Sequence, residues 1–174
     1  MTSAITHITL DEIKNGFQED YYCCMSGICK RKFKSDMWTT LHEEVGSIGL
    51  LAKGEKWIEG QIIFLPKKHA RWIGLPTGLG DPDEFSSTMS ISCLLVHDWC
   101  RNKGTASRMI QETIDFSRKH GFKRLEAYVD PRSPEDAFQW LPSFSPFKKF
   151  GFAIDDSRVA WESWPESRIC HLNL

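Results

Sequence analysis

The stretch His97-Asp98-Trp99-Cys100-Arg101-Asn102-Lys103-Gly104-Thr105-Ala106-Ser107 holds the residue types and spacing best suited to chemistry. It joins an apolar run to an amphipathic one, and its glycine and small side chains fall where a helix begins. The first amides of a helix have no intrahelical acceptor, so several N–H donors converge there, with Arg101 and Lys103 close by. Such a turn binds phosphate. Gly104 permits close approach of a ligand, and Ala106 lets the helix sit tight against a sheet. The spacing differs from both G-x-G-x-x-G and G-x-x-x-x-G-K-[ST], which argues against a Rossmann dinucleotide site and a P-loop.

The flanking elements must hold this turn in place. Met89 to Val96 is almost continuously apolar, which predicts a central strand buried on both faces. From Thr105 to His120, Ala106, Met109, Ile110, Thr113, Ile114 and Ser117 mark one side of a helix, and charged residues mark the other. Gly121 suits its C-terminal cap. Arg124 to Val129 reads as a strand with Leu125, Ala127 and Val129 on one face and Glu126 and Tyr128 on the other. Strand, helix, strand is a crossover, so the two strands should be parallel.

Upstream, Ala4 to Thr9 is a strand candidate, and Thr9-Leu10-Asp11-Glu12 has capping-box spacing. A helix is expected over Ser35 to Glu44, then a hairpin of Ser47 to Ala52 and Trp57 to Leu65. Gly74 to Asp83 is a long Gly/Pro-rich connection, and Gly74 to Phe85 is either an acceptor-site lid or a merely irregular loop. A helix between Pro134 and Phe150, broken by Pro142 and Pro146, precedes a closing antiparallel pair, Phe152 to Asp156 and Arg168 to Leu174. The expected architecture is an α/β (α+β) fold in one domain over residues 1–174. Its sheet is mixed and mostly antiparallel, with about six or seven strands flanked by helices.

Composition narrows the function classes. The 174 residues carry 22 Lys and Arg against 23 Asp and Glu, a net charge of −1, so the positive excess that nucleic-acid backbones demand is missing. No run approaches the roughly 18 apolar residues of a membrane span, and Met1 to Thr6 lacks the regions of a secretory signal, so a cytoplasmic protein is expected. Roughly 70% of the unfolded chain's surface can be buried at this length, enough for a core without staples. The six cysteines are therefore expected as reduced thiols. Cys23, Cys24 and Cys29 with His42 or His69 do not make zinc knuckles, and no metal is expected.

The turn and its context resemble the GNAT family of acetyl-coenzyme-A-dependent N-acyltransferases. The family's pyrophosphate signature, R/Q-x-x-G-x-G/A, is matched by Arg101-Asn102-Lys103-Gly104-Thr105-Ala106, between an apolar strand and a helix. Lys149-Phe150-Gly151-Phe152 is similar to the family's K-x-G-F element, and Cys23-Cys24 with Lys34 and Trp38 resembles little-characterised bacterial members. The resemblance implies transfer of an acetyl group from acetyl-CoA to a primary amine, on a small molecule or peptide. It implies that the strand before the signature splays from its parallel neighbour and that pantetheine lies along Leu94, Leu95 and Val96. A backbone N–H near Val96 would polarise the thioester carbonyl. Arg101, Asn102, Lys103, Gly104, Thr105, Ala106 and Ser107 would hold the pyrophosphate, mainly through amides, and Phe147 would flank the thiol end.

Many relatives place a Tyr four residues before the family glycine to protonate the leaving sulfur, whereas this chain has Phe147 there. Tyr128 or a water is the substitute acid. Glu126 is the first candidate base, with an ion-pair role as its alternative; His97, or water acting on an α-amine, are others. Cys100 beside Arg101 and Lys103 is either a reactive thiol or an inert one. The basic runs Lys30 to Lys34 and Lys67, Lys68, His69 and Arg71 are expected as solvated surface. Trp161 and Trp164 are candidates for a homodimer contact. Two readings from other classes remain: a non-catalytic acyl-CoA-binding module, and a nucleotide-binding protein unrelated to coenzyme A.

Overall fold

The computed structural model describes residues 3–14, 31–73, 82–132, 141–161 and 164–174. Cys23, Cys24, Cys29, Lys30 and most of the candidate lid, 74–81, lie outside the described residues, as do the side chains of 31–35, Arg71 and Trp161. Seven strands make one sheet in the order β1-β2-β3-β4-β5-β7-β6. They are β1 (Ala4–His7), β2 (Gly49–Lys53), β3 (Ile58–Pro66), β4 (Thr88–Val96), β5 (Arg124–Val129), β6 (Ala153–Trp161) and β7 (Trp164–Asn173). All neighbours run antiparallel except β4 and β5, which are parallel as the crossover requires.

The helices are α1 (Leu10–Lys14), α2 (Arg31–Val45), α3 (Pro82–Ser87), α4 (Thr105–Lys119) and α5 (Ser145–Lys148). They cover both faces. Met109, Ile110, Ile114 and Phe116 of α4 pack on Leu50, Ile62, Phe64, Met89, Ile91, Leu125, Ala127 and Val129. Ile13 of α1 and Met37, Trp38 and Leu41 of α2 pack on Leu51, Ile63, Leu65, Cys93, Tyr128 and Ile169 of the other face. Burying these two apolar layers, at about 25 cal/mol per Å² of apolar surface, is the main drive for the sheet to form between them.

Local signals set the ends of several elements. The Thr9 amide donates to Glu12 Oε2 at 2.8 Å and the Glu12 amide donates to Thr9 Oγ1 at 3.2 Å, a reciprocal capping box. Glu12 also reaches Lys53 Nζ at 2.6 Å, tying α1 to β2. At the end of α4 the Phe122 amide donates to Ser117 O at 3.1 Å while Gly121 takes φ +79°, closing the last turn.

Three expectations need correction. The helix between Pro134 and Phe150 is, over its described part, only the four residues of α5. Residues 141–144 instead run beside the end of β5, where the Asp130 amide donates to Pro142 O at 3.1 Å, and Pro142 and Pro146 prevent a longer helix. The closing pair is longer than Phe152 to Asp156 and Arg168 to Leu174, because its register shifts between Asp155 and Val159 and again before Trp161. Such irregularities break the alternation that reveals a strand. Third, Lys67 is not solvated surface: it is 1% exposed.

Replacing Thr9 by Ala should lower stability by about 1 kcal/mol without loss of fold. Urea unfolding of the variant beside the parent checks this, and an unchanged midpoint would mean that α1 does not depend on its cap.

Candidate functional site

Pairing between β4 and β5 covers only Thr88 to Ile91 against Arg124 to Ala127, although β4 continues to Val96 and β5 to Val129. The partners part company after Ile91. On the other edge of β4, Cys93 faces Ile63 while Ile91 faces Phe64, so Ser92 is an extra residue, a β-bulge. Bulges bend a strand and sharpen its twist. This one also reverses sidedness: Met89 and Ile91 point to the α4 core, Cys93 to the opposite core, and Leu94 and Val96 back toward α4. Leu94, Leu95 and Val96 are half-buried, whereas the preceding residues of β4 are buried.

Beyond Val96 the chain makes a short 3-10 turn, Asp98–Cys100, and enters α4. Asn102 (φ 62°) and Gly104 (φ 78°) both adopt the left-handed region. Among the described residues the amides of Asn102, Lys103, Gly104, Thr105, Ala106 and Ser107 form no hydrogen bond, and the first helical bond is Arg108 N–H to Gly104 O at 3.0 Å. A Cβ on Gly104 would meet nothing within 4 Å, so the turn opens onto free space. Thr105 Oγ1 is buried beneath it with no partner. Converging donors at the positive end of a helix, an orphaned hydroxyl and the exposed Lys103 fit a diphosphate. Arg101 is less available: Nη2 pairs with Asp98 at 2.9 Å, and Nε donates to Val96 O at 3.2 Å.

The expected polar residues lie on the sheet face away from α4. Glu126 is 1% exposed and ringed by cations, with Oε2 at 2.7 Å from Lys67 Nζ and Oε1 at 2.9 Å from Arg124 Nε and 3.2 Å from Arg158 Nη2. Burial opposes its charge, but Lys67 foremost, with Arg158 and Arg124, outweighs that and holds the carboxyl below its ordinary 4.5. A carboxylate so held is a weak proton acceptor at neutral pH. It faces Ser90 in the zipped part of the parallel pair. Tyr128, one step past the last paired residue, is buried where the strands diverge. Burial pushes its phenol well above the ordinary range, so it stays protonated.

Phe147 is fully buried in the α4-side core, its ring edge-on to Phe152 at 5.3 Å. Cys100 is buried and its thiol is pushed up by burial and by Glu59, which favours the inert reading. His97 stacks on the exposed ring of Trp99 with centroids 4.6 Å apart. Lys68 and His69 pair with Glu44 at 2.6 and 2.7 Å. Trp164 is half-buried at the start of β7. Among the described residues no group of three or more His, Cys, Asp or Glu is placed to hold a metal, and no helix is long and apolar enough to cross a membrane.

The structure thus gathers Leu94 to Val96 and Arg101 to Ser107 at one end of β4, puts Tyr128 at the parting of the strands and Glu126 below it, and sends Phe147 into the core of the opposite face. Sequence reasoning missed Lys67 and Arg158 as the partners of Glu126, since nothing in the local composition distinguishes them from surface cations.

The sequence profile of the acetyltransferase (GNAT) family matches residues 15–137. No curated protein matches the chain. Among solved structures, the yncA protein of Salmonella typhimurium, determined with its cofactor acetyl-CoA, has a TM-score of 0.67 at 14% identity, over 100% of this chain and 95% of that one. A ribosomal-protein-alanine N-acetyltransferase from Brucella melitensis has a TM-score of 0.64 at 13% identity, over 98% and 99% of the two chains. An N-acetyltransferase from Staphylococcus aureus has a TM-score of 0.64 at 14% identity, over 99% of each. At such identities the likeness is one of fold.

Two outcomes are expected. Gly104→Ala fits the open space and strains only φ, costing about 1–2 kcal/mol, whereas Gly104→Glu should abolish the thermal shift given by coenzyme A; an undiminished shift would move the anion site elsewhere. Lys67→Met should destabilise by about 3 kcal/mol in urea at neutral pH, with part recovered in Lys67→Met/Glu126→Met. Because the folded-state pKa of Glu126 is depressed, its stabilisation is present above 4.5 and lost as pH falls below that value. Glu126→Gln should therefore flatten the acid limb of the stability curve, and an unaltered limb would remove Glu126 from the account.

Proposed function

The chain belongs to the acetyltransferase (GNAT) family, an acyltransferase class, and we propose that it transfers the acetyl group of acetyl-CoA to a primary amine by direct attack on the thioester. The observation that carries the proposal is the early end of the β4–β5 pairing after Ile91, with a turn of free amides at the far end of the same strand. The whole chain is taken as one domain, because a single sheet runs through every described strand.

In this reading the amides of Asn102 to Ser107, with Thr105 Oγ1 and Lys103, hold the pyrophosphate. Pantetheine lies along Leu94, Leu95 and Val96 in the gap, and a backbone N–H near Val96 polarises the thioester carbonyl. The neutral amine adds to that carbon. A C–N bond forms, the C–S bond breaks, the amine's surplus proton passes to water, and the departing thiolate is protonated. Tyr128, at the point where the strands part, is the proposed hydrogen-bond donor to the departing sulfur, and water supplies the proton, because burial raises the phenol's pKa far above that of a thiol. A thiol of pKa about 8.5 leaves without much assistance, so the loss of the family Tyr at Phe147 is tolerable. Glu126 is assigned the ion-pair role, because its depressed pKa leaves it little basicity. Acetyl-CoA and reduced thiols such as Cys93, Cys100 and Cys170 suit a cytoplasmic setting.

Coenzyme A should raise Tm, by the equivalent of about 2.7 kcal/mol at a hundredfold excess over Kd. Thiol release from acetyl-CoA should then appear on adding primary amines from a panel of dipeptides, lysine derivatives and polyamines. A Tm response with no amine-dependent release would reduce the protein to a coenzyme-binding module. A response to ATP or NAD but not to coenzyme A would overturn the site as well. The rate should rise with pH toward the pKa of the amine, with no limb from Glu126 above pH 5, and a limb there that vanishes in Glu126→Gln would restore its role as base.

A further inference from the structure

Gln61 is an anomaly in the face away from α4. It lies on β3 in the same alternation as Ile63 and Leu65, between Leu51 of β2 and Leu95 of β4, and is 1% exposed. Its Nε2 donates to Cys93 Sγ at 3.6 Å. Its Oε1, buried as well, has no hydrogen-bond partner among the described residues. Native proteins rarely bury a carbonyl oxygen unpaired, since water satisfied it in the unfolded chain and an apolar neighbour cannot. With Nε2 turned to Cys93, Oε1 is the end of the amide left open.

The location gives this oxygen a purpose. Cys93 and Leu95, the two β4 residues beside Gln61, belong to the part of β4 that β5 has ceased to pair with. Gln61 therefore overlies the parted strand on the face opposite the diphosphate helix. An oxygen that only accepts hydrogen bonds selects a ligand that brings a donor. A neutral primary amine has two N–H groups and a lone pair, so one N–H can bond the oxygen while the lone pair stays directed at the thioester.

We propose that Gln61 is the acceptor-binding residue, its Oε1 taking an N–H of the attacking primary amine. The assignment rests on the acetyl-transfer reading above. It makes β3 a contributor to the acceptor site, alongside the parallel pair.

The test is Gln61→Met, which keeps length and removes the polar atoms, and Gln61→Glu, which keeps an oxygen in place. Each is assayed with glycylglycine, Nα-acetyl-lysine and spermidine, together with the coenzyme A thermal shift. Gln61→Met should retain the coenzyme shift, and its ligand-free Tm should be no lower than the parent's, because a buried orphan has been removed. The amine KM should rise roughly tenfold while the acetyl-CoA KM is unchanged. Gln61→Glu should stay within about threefold of the parent's amine KM. Unchanged amine kinetics in Gln61→Met would mean that the oxygen meets only an ordered water. A rise confined to the acetyl-CoA KM would assign it to pantetheine, and loss of the coenzyme shift in both variants would make Gln61 structural; each result overturns the proposal. If the parent releases thiol with none of the amines, the acetyl-transfer reading itself fails, whereas an active parent with an indifferent Gln61→Met sinks the acceptor assignment alone.

Discussion

One extra residue in one strand governs the site. Ser92 bulges out of the β3–β4 ladder, and on the far edge of β4 the pairing with β5 stops one residue earlier. Two parallel strands covered by helices on both faces would ordinarily stay zipped, since their ladder groups have no water to turn to. β4 bends at its bulge where that pairing ends, and in the proposed function pantetheine adds to the exposed edge in the manner of a strand. The helix that receives the end of β4 then presents a cluster of free amides, and the gap and the anion turn become ends of one device.

The remainder of the molecule keeps that gap from collapsing. On one side, α4 is fixed by Met109, Ile110 and Ile114 in the core. On the other, Glu126 and Lys67 join the base of β5 to the segment after β3, while Arg158 of β6 and Arg124 complete the charge balance. An ion pair this deeply buried contributes less to stability than its Coulomb attraction suggests, because both charges lose their hydration. Its value is positional: leaving either partner alone is costly, so the strands below the gap have few alternatives to their present alignment.

Much of this was legible from the chain. The amphipathic period of Thr105 to His120, the alternation in Arg124 to Val129 and the glycine at the helix start define the crossover and its turn by local rules. What stayed hidden depends on partners distant in sequence. Met89 to Val96 reads as an almost continuous apolar run broken only by Ser90 and Ser92, too short a pattern to announce the reversal of facing at Ser92. Lys67 stands in a basic run that resembles any solvated loop, and only the fold brings Glu126 to it across 59 positions, the difference of their numbers. Gln61 is marked by no motif within Trp57 to Leu65, and only the fold shuts its side chain away from water. The irregular register of β6 and β7 concealed their length in the same way.

A grip made mainly of main-chain donors has an evolutionary side. Peptide amides are identical at every position except proline, so a grip of this kind depends less on side-chain identity than on the two left-handed conformations at Asn102 and Gly104. The chain keeps the architecture of the structures described above over nearly its whole length while sharing only 13 to 14% of its residues with them, as a backbone-defined grip permits.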